Sequence, residues 1–333
     1  MPSTAQASII ILTFNNLDYT RMCLESVCSR TDPPGYEIVV VDNASHDGTQ
    51  QFLKEFAGRH APVKLVLNET NQGFATGNNR GAAAASAEYI VFLNNDTVVT
   101  PGWLSGLIRH LQDPAVGMVG PVTNSSANEC RIPVDYEAIQ DMEAFAGRYT
   151  DARQGQAREV SMLPFQCVAM RRAVFEEIGP LDERFGIGMF EDDDYALRVK
   201  QKGYRILCAE DVFIHHWGSA SFSTLDRREY LHIFSTNWRQ FEEKWGIRWH
   251  PPSYQADLLP EQLRQYLYDV LQLSWKVSDQ EEFIKTLQAK VDELEAIKNS
   301  TSWKMLCWAR SLIIPPGSRR ESWWKSYFGK RAR

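Results

Sequence analysis

The chain has 333 residues, 44 % of them hydrophobic and 23 % charged, a balance that suits one large globular domain with an appendage and excludes a disordered or fibrous chain. No stretch reaches the roughly 18 consecutive apolar residues of a membrane span, and the opening MPSTAQASIIILTF lacks the basic flank of a signal peptide. The net charge of −6 is uneven, because residues 301–333 carry eight Lys and Arg against one Glu; the strongly acidic remainder excludes a general nucleic-acid binder.

Four β-branched apolar runs come first: SIIILTF at 8–14, YEIVVVD at 36–42, VKLVLN at 63–68 and EYIVFLN at 88–94. Helical patterns at 18–30, 47–57 and 73–86 fill the intervals, so the pattern predicts βαβ units and an α/β fold with a mostly parallel, Rossmann-like sheet flanked by helices. Near-continuous hydrophobicity implies strands buried on both faces. Polar residues crowd their carboxyl ends (Thr13 to Asn15, Asp42-Asn43, Asn94 to Asp96), the edge where open α/β sheets bind ligands.

From about 120 to 160 the pattern is less periodic. An apolar run MLPFQCVAM, a helix start at RRAVFEEIG and an acidic helix EDDDYALRVKQKG follow, then an amphipathic helix over 226–245 that closes a domain of residues 1–250. From Leu259 to Leu294 apolar residues recur in alternating steps of four and three, five heptads with Gln280 in the seam. That spacing predicts a helical, coiled-coil-like extension over 251–300 through which subunits associate. The tail at 301–333 interleaves Trp303, Trp308, Trp323 and Trp324 with Lys and Arg, which suits contact with an anionic membrane surface. Six scattered cysteines without a C-x-x-C pair predict reduced thiols and a cytoplasmic protein, peripheral to the membrane if the tail engages it.

Four clusters carry chemistry. In VVVDNASHDGT a strand ends in Asp42, with Ser45 or Asp47 placed to cap the next helix. In LNNDT a single carboxylate, Asp96, stands beside two amides at a strand end; Mg²⁺ or Mn²⁺ bound with a diphosphate uses only one or two protein carboxylates. In MFEDDDYALR four acids open a helix, which the macrodipole favours. Yet Asp192 and Asp193 project about 100° apart beside Phe190 and Tyr195, which calls for a cation or an acceptor hydroxyl nearby. In FIHHWGSAS, two adjacent histidines on an extended segment ensure that either His215 or His216 faces the site, and imidazole suits Mn²⁺.

LTFNN, VDNASHDGT, NQGFATGNN, LNNDT, GPLDERF, FEDDDYALR and HHWGSAS together resemble, in order and spacing, the family-2 glycosyltransferases of the GT-A fold, nearest to bacterial rhamnosyltransferase-like enzymes of surface polysaccharide synthesis. The resemblance spans residues 8 to about 245. It implies a nucleotide pocket lined by Thr13, Asn15, Asp42, Asn71, Gly73, Asn78 and Asn95. It implies Asp96 as a ligand of Mn²⁺ or Mg²⁺, the first acid of the family's D-x-D being replaced by Asn94. His216, 24 residues after Asp192, is the expected second ligand, with His215 as the alternative. Glu191-Asp192 resembles the family's E-D pair, which implies Asp192 as the general base of an inverting transfer. The donor expected is a UDP-, dTDP- or GDP-sugar, and the acceptor a glycan or lipid-linked saccharide. Two other functions fit less of the sequence. A nucleotidyltransferase would carry a glycine-rich loop with Lys or Arg after the first strand, where Thr13 to Asn16 stand. An inactive nucleotide-sugar-binding scaffold would not need Asp96, Asp192 and a histidine together.

Overall fold

The computed structural model describes residues 5–249 apart from 32–34, 61, 127 and 219–226. The chain divides into two units, Met1–Tyr254 and Gln255–Arg333, and every described residue lies in the first. The coiled-coil pattern at 251–300, the basic aromatic tail at 301–333 and Cys307 fall outside the described residues. The other five cysteines are free thiols. Among the described residues no helix is long and apolar enough to cross a membrane.

The four apolar runs form β1 (Ala7–Thr13), β2 (Tyr36–Asp42), β3 (Val63–Leu67) and β4 (Tyr89–Asn94), joined by α1 (Leu17–Arg30), α2 (Thr49–Arg59) and α3 (Phe74–Ala84). They lie in the order β3-β2-β1-β4, all parallel, with Thr13 opposite Asp42 and Leu12 opposite Asn94. Alternation along β1 explains why the run is apolar throughout: Ile9 and Ile11 pack beneath α1, α2 and α4 (Trp103–His110), while Ile10 faces α3. Full burial of each such side chain stabilises by roughly 1.5–3 kcal/mol. A Cβ added at Gly81 would lie 2.4 Å from Ile10 Cγ2, so glycine there sets how closely α3 approaches the sheet.

Helix α2 starts at Thr49, later than the sequence pattern suggests. Asp47 stays outside it, and its carboxylate accepts from the backbone N–H groups of both Thr49 and Leu17, each at 3.1 Å, serving the first turns of two helices. Ser45 does not cap α2; its hydroxyl accepts from the Asn15 N–H at 2.7 Å.

The second half of the sheet holds strands that the sequence pattern left without assignment. After β5 (Thr97–Val99) and α4 come β6 (Val116–Thr123), a short 3₁₀ turn into α5 (Met142–Asp151), β7 (Ala157–Glu159), β8 (Cys167–Arg171) and α6 (Arg172–Ile178). A 3₁₀ turn at Glu183–Phe185, α7 (Glu191–Gln201), the long β9 (Arg205–His216) and α8 (Arg227–Trp245) complete the unit. The order continues β4-β8-β6-β9-β5, with β8 antiparallel to β4 and β6, β9 parallel to β6 and antiparallel to β5, and β7 on β9.

Between Pro121 and Val122 the β6–β9 register jumps from Ala209 to Phe213. Pro121 has no N–H for the ladder, and the bulge that absorbs it turns the end of β9 toward β5, where His216 pairs with Thr97. Asp211, in the bulge, is held by His110 Nε2 and Gly155 N at 2.7 Å each and by Arg109. A sheet irregularity thus decides where the His215-His216 pair lies.

Candidate active site

The carboxyl ends of β1, β2, β3 and β4 lie on one edge of the sheet, so Thr13, Asp42, Asn68 and Asn95-Asp96 share it. The same edge receives the end of β9 through the Thr97–His216 pair. Strand β9 begins at the opposite edge, where Arg205 pairs with Val116 at the start of β6. Helix α7 runs back to that start, so its own N-terminus, with Glu191 and Asp192, opens toward the carboxyl edge.

At the end of β2, Asp42 is fully buried. Its Oδ2 accepts from Ser45 N at 3.0 Å and Gln50 Nε2 at 2.7 Å, while Oδ1 has no hydrogen-bond partner. Asn15, with φ 54°, turns its side-chain oxygen to the His46 N–H. Asn71 Oδ1 accepts from Gly73 N at 2.9 Å and from Asn43 Nδ2 at 3.1 Å. Asn43 also accepts from Asn68, which in turn accepts from Arg80 Nη1 at 2.6 Å. Gly73 adopts φ 81°, and a Cβ there would lie 2.1 Å from Gly186 O, so the start of α3 and the segment before α7 touch backbone to backbone. Three residues of the expected pocket, Thr13, Asn78 and Asn95, are occupied internally. Asn78 donates to Phe74 O at 3.0 Å, and Asn95 donates to Thr20 Oγ1 at 2.9 Å and Thr13 Oγ1 at 3.3 Å, tying β4 to β1 and α1.

His216 and Asp96 meet at this edge: Nε2 lies 3.3 Å from Oδ1, within ion-pair range but without hydrogen-bond alignment, and Asp96 Oδ1 is buried with no other partner. The other ring nitrogen, Nδ1, is 3.0 Å from Ser125 O. A carbonyl only accepts, so Nδ1 carries a proton; when the ring is neutral its Nε2 lone pair faces a carboxylate oxygen, an apposition that a cation or a second proton relieves. A histidine fixed by a backbone carbonyl behind it is the usual support of a metal ligand. Asn124 holds the His216 backbone from both sides, accepting from its N–H at 2.8 Å and donating to its carbonyl at 3.2 Å. Burial works against protonating this ring, but the Asp96 carboxylate outweighs it and raises the imidazole above its ordinary value.

His215 points elsewhere: Nδ1 is 2.6 Å from the Tyr136 hydroxyl, its ring packs against Trp217, and burial pushes its pKa down to about 4. Among the described residues no group of three or more His, Cys, Asp or Glu side chains is placed to hold a cation. Asp96 and His216 bring two potential donor atoms within 3.3 Å of each other, a number that would suit a cation shared with a diphosphate.

The four acids of α7 have separate fates. Asp194, fully buried, is neutralised by Arg198 Nε at 3.0 Å and Lys244 Nζ at 2.5 Å, and accepts from Trp245 Nε1 at 2.9 Å. Asp193 Oδ1 accepts from Trp249 Nε1 at 3.0 Å. Asp192 Oδ1 accepts from the Asp193 N–H at 2.9 Å, and Glu191 Oε2 is buried without a partner. Among the described residues neither Glu191 nor Asp192 has an ion pair, unlike Asp194. Burial raises both carboxyls above the usual range, and the charge of Asp192 raises Glu191 further. A carboxylate so raised accepts a proton more readily than an ordinary one. The helix starts from Met189 and Phe190, both at φ 77°, a left-handed conformation costly for side chains of this size.

Ser125 and Asn124, which orient His216, and Asn43, Asn68 and Arg80, which brace Asn71, are site residues absent from the set expected from sequence. Asn43, adjacent to Asp42 at a strand end, was the one of these with a local signal.

A parallel-edged mixed sheet with these residues along its carboxyl rim defines a GT-A type glycosyltransferase domain. The chain belongs to glycosyl transferase family 2, whose family model matches residues 8–179. Asp192 and His216 lie beyond the matched segment. The chain is 30 % identical over 237 residues to the O-antigen biosynthesis protein RfbC of Myxococcus xanthus, covering 66 % of this chain and 18 % of that protein. It is 26 % identical over 211 residues to the glycosyltransferase AglE of Haloferax volcanii, covering 63 % of this chain and 66 % of that protein. An uncharacterised protein of Sinorhizobium fredii, y4gI, is 26 % identical over 271 residues, 78 % of this chain and 30 % of its own length. The chain thus spans less than two thirds of the length of each of these relatives.

Among solved structures, the mannosyltransferase PcManGT of Pyrobaculum calidifontis, in complex with GDP-Man and Mn²⁺, aligns at TM-score 0.54 and 18 % identity over 99 % of this chain and 87 % of that one. GalNAc-T7 with UDP, GalNAc and Mn²⁺ aligns at TM-score 0.52 and 17 % identity over 81 % of this chain and 55 % of that one. At such identities the likeness is one of fold.

Proposed function

We propose that this chain transfers a sugar from a nucleoside-diphosphate sugar to a hydroxyl of a glycan or lipid-linked acceptor, with inversion at the anomeric carbon and Asp192 as general base. The observation that carries the reading is the apposition of Asp96 Oδ1, buried without a hydrogen-bond partner, and His216 Nε2, whose ring is fixed through Nδ1 at the Ser125 carbonyl, on the edge that also holds Asp42 and the start of α7. Asp96 and His216 would hold Mn²⁺ or Mg²⁺. A divalent cation there supplies charge neutralisation for the departing diphosphate.

The remaining chemistry falls to the chain's own groups. Asp42 Oδ1, buried and unpartnered, suits the imide N–H of a uracil, thymine or guanine ring. Asn71 and Gly73 shape the backbone where α3 begins, beside the ribose and diphosphate. Asp192 takes the proton of the acceptor hydroxyl as its oxygen bonds to the anomeric carbon and the bond to the diphosphate breaks, so no covalent enzyme intermediate forms. Likeness to RfbC supports an acceptor in surface polysaccharide assembly, and GDP-Man and UDP in the structural relatives support a nucleotide-linked donor. The heptads at 259–294 and the basic aromatic tail support self-association and membrane-surface contact.

The test is Asp192→Asn in the full chain, with nucleotide release from UDP-GalNAc, dTDP-rhamnose and GDP-mannose. Loss of turnover by roughly 10²–10⁴-fold with donor affinity kept supports the base assignment. Equal loss of affinity and turnover, or loss of neither, counts against it.

A further inference from the structure

The segment from Phe185 to Phe190 joins two parts of the site, and three of its backbone carbonyls meet one side chain from behind. On one side Gly186 O accepts from Phe74 N at 3.2 Å, at the start of α3. At its far end Met189 and Phe190, both left-handed, deliver the chain to Glu191 and Asp192. Asn237, in the middle of α8 and only 4 % exposed, places Nδ2 2.8 Å from Phe185 O, 2.8 Å from Gly188 O and 3.2 Å from Met189 O. Phe190 packs edge-on against Phe234 of the same helix, with ring centroids 5.1 Å apart.

Three carbonyl oxygens that converge on one point repel each other unless a donor sits between them. A side-chain amide is well suited because its NH₂ carries two hydrogens and its nitrogen no competing acceptor, one hydrogen being shared between two carbonyls. Two non-glycine residues at positive φ persist only where surrounding contacts over-determine them, and here the amide clasps the backbone just before and at the first of the two. We propose that Asn237 is a positioning residue for Asp192, its amide holding the strained 185–190 segment so that α7 begins where the base meets the acceptor. The proposal rests on the reading of Asp192 as base.

The test uses the full-length protein and two readouts. Asn237→Asp keeps the shape and replaces the donor by an acceptor; Asn237→Ser retains one donor and serves if the aspartate variant does not fold. Amide exchange is followed by mass spectrometry, and nucleotide release is followed from UDP-GalNAc, dTDP-rhamnose and GDP-mannose. We expect faster exchange confined to peptides covering 185–192, KM for the donor unchanged, and kcat lowered about a hundredfold, the scale expected for a misplaced reacting group, with the serine variant intermediate. Three results overturn it: exchange unchanged at 185–192, exchange raised across the whole sheet, or local loosening with kcat intact. If Asp192→Asn retains turnover, the base reading fails and the positioning role with it. Loss of turnover in Asp192→Asn with full kcat in Asn237→Asp defeats this proposal alone.

Discussion

His216 Nε2 stands 3.3 Å from Asp96 Oδ1, while Nδ1 of the same ring is turned to the Ser125 carbonyl at 3.0 Å. The two residues are 120 positions apart in sequence and meet because the bulge after Pro121 carries the end of β9 onto β5. One ring nitrogen is committed to the backbone, so the other is free to bind a cation.

His216→Ala is therefore expected to weaken Mn²⁺-dependent nucleotide binding by at least roughly 10–100-fold, the range seen when the support of a metal ligand is removed. His215→Ala loses its bond to Tyr136, worth about 1 kcal/mol of stability, and keeps metal-dependent binding. Calorimetric titration of both variants with Mn²⁺ present separates the two, and the reverse ranking would make His215 the ligand.

Stability should respond to pH through Glu191, whose carboxyl is held well above the ordinary range by burial and by the charge of Asp192. In the unfolded chain such a group loses its proton near pH 4. The folded chain retains it to higher pH, binds more protons in that window, and loses stability as pH rises through it. Glu191→Gln removes this slope. Its urea midpoint in EDTA should exceed that of the wild type at pH 7.5 and converge with it at pH 4; a lower midpoint at pH 7.5 contradicts the assignment.

Glu37 has the opposite sign. Burial alone would raise its carboxyl, but Lys64, Ser8 and Ser86 outweigh this and hold it at about 2. Its contribution, roughly 3 kcal/mol, is present above its unfolded value near pH 4 and lost as pH falls toward 2. Denaturation of Glu37→Gln across pH 2–7 should show a deficit at neutral pH that closes on acidification, and a deficit constant with pH would contradict it.

At Gly73 the expected effect is steric. Alanine would bring Cβ to 2.1 Å from Gly186 O at φ 81°, a strain of roughly 1–3 kcal/mol, and would part α3 from the segment before α7. Gly73→Ala should lower the melting temperature by several degrees and weaken nucleotide binding more than tenfold. A variant equal to the wild type in both would mean that this contact does not shape the pocket.

How far the sequence revealed the molecule follows from where each determinant sits. Strands β1 to β4 are buried on both faces, so continuous runs such as YEIVVVD stand out, and the polar residues that end them mark the ligand edge. Strand β6 was hidden because Gly117, Gly120 and Pro121 interrupt its apolar pattern, and Gly120 is needed where an added Cβ would lie 2.9 Å from Cys167 O. The acids of α7 were visible as a type, but their division was not: Asp194 is neutralised by Lys244 and Asp193 is tied to Trp249, both about fifty residues downstream. The same distance hid Asn237, whose neighbours Ser235, Thr236 and Trp238 carry no sign of three converging carbonyls. Strand alternation says only that His215 and His216 face opposite ways, so the preference for His216 rests on the resemblance and its spacing after Asp192, while the contact with Asp96 is visible only in the fold.

The most direct measurement is calorimetric binding of UDP, dTDP and GDP to the full-length protein, with Mn²⁺ and with EDTA, alongside Asp96→Asn. The account predicts that at least one of the nucleotides binds, that EDTA abolishes or greatly weakens the binding, and that Asp96→Asn does the same in the presence of Mn²⁺. Failure of all three nucleotides to bind, or binding that neither EDTA nor Asp96→Asn disturbs, would contradict a metal-assisted nucleotide-sugar transferase built on Asp96 and His216.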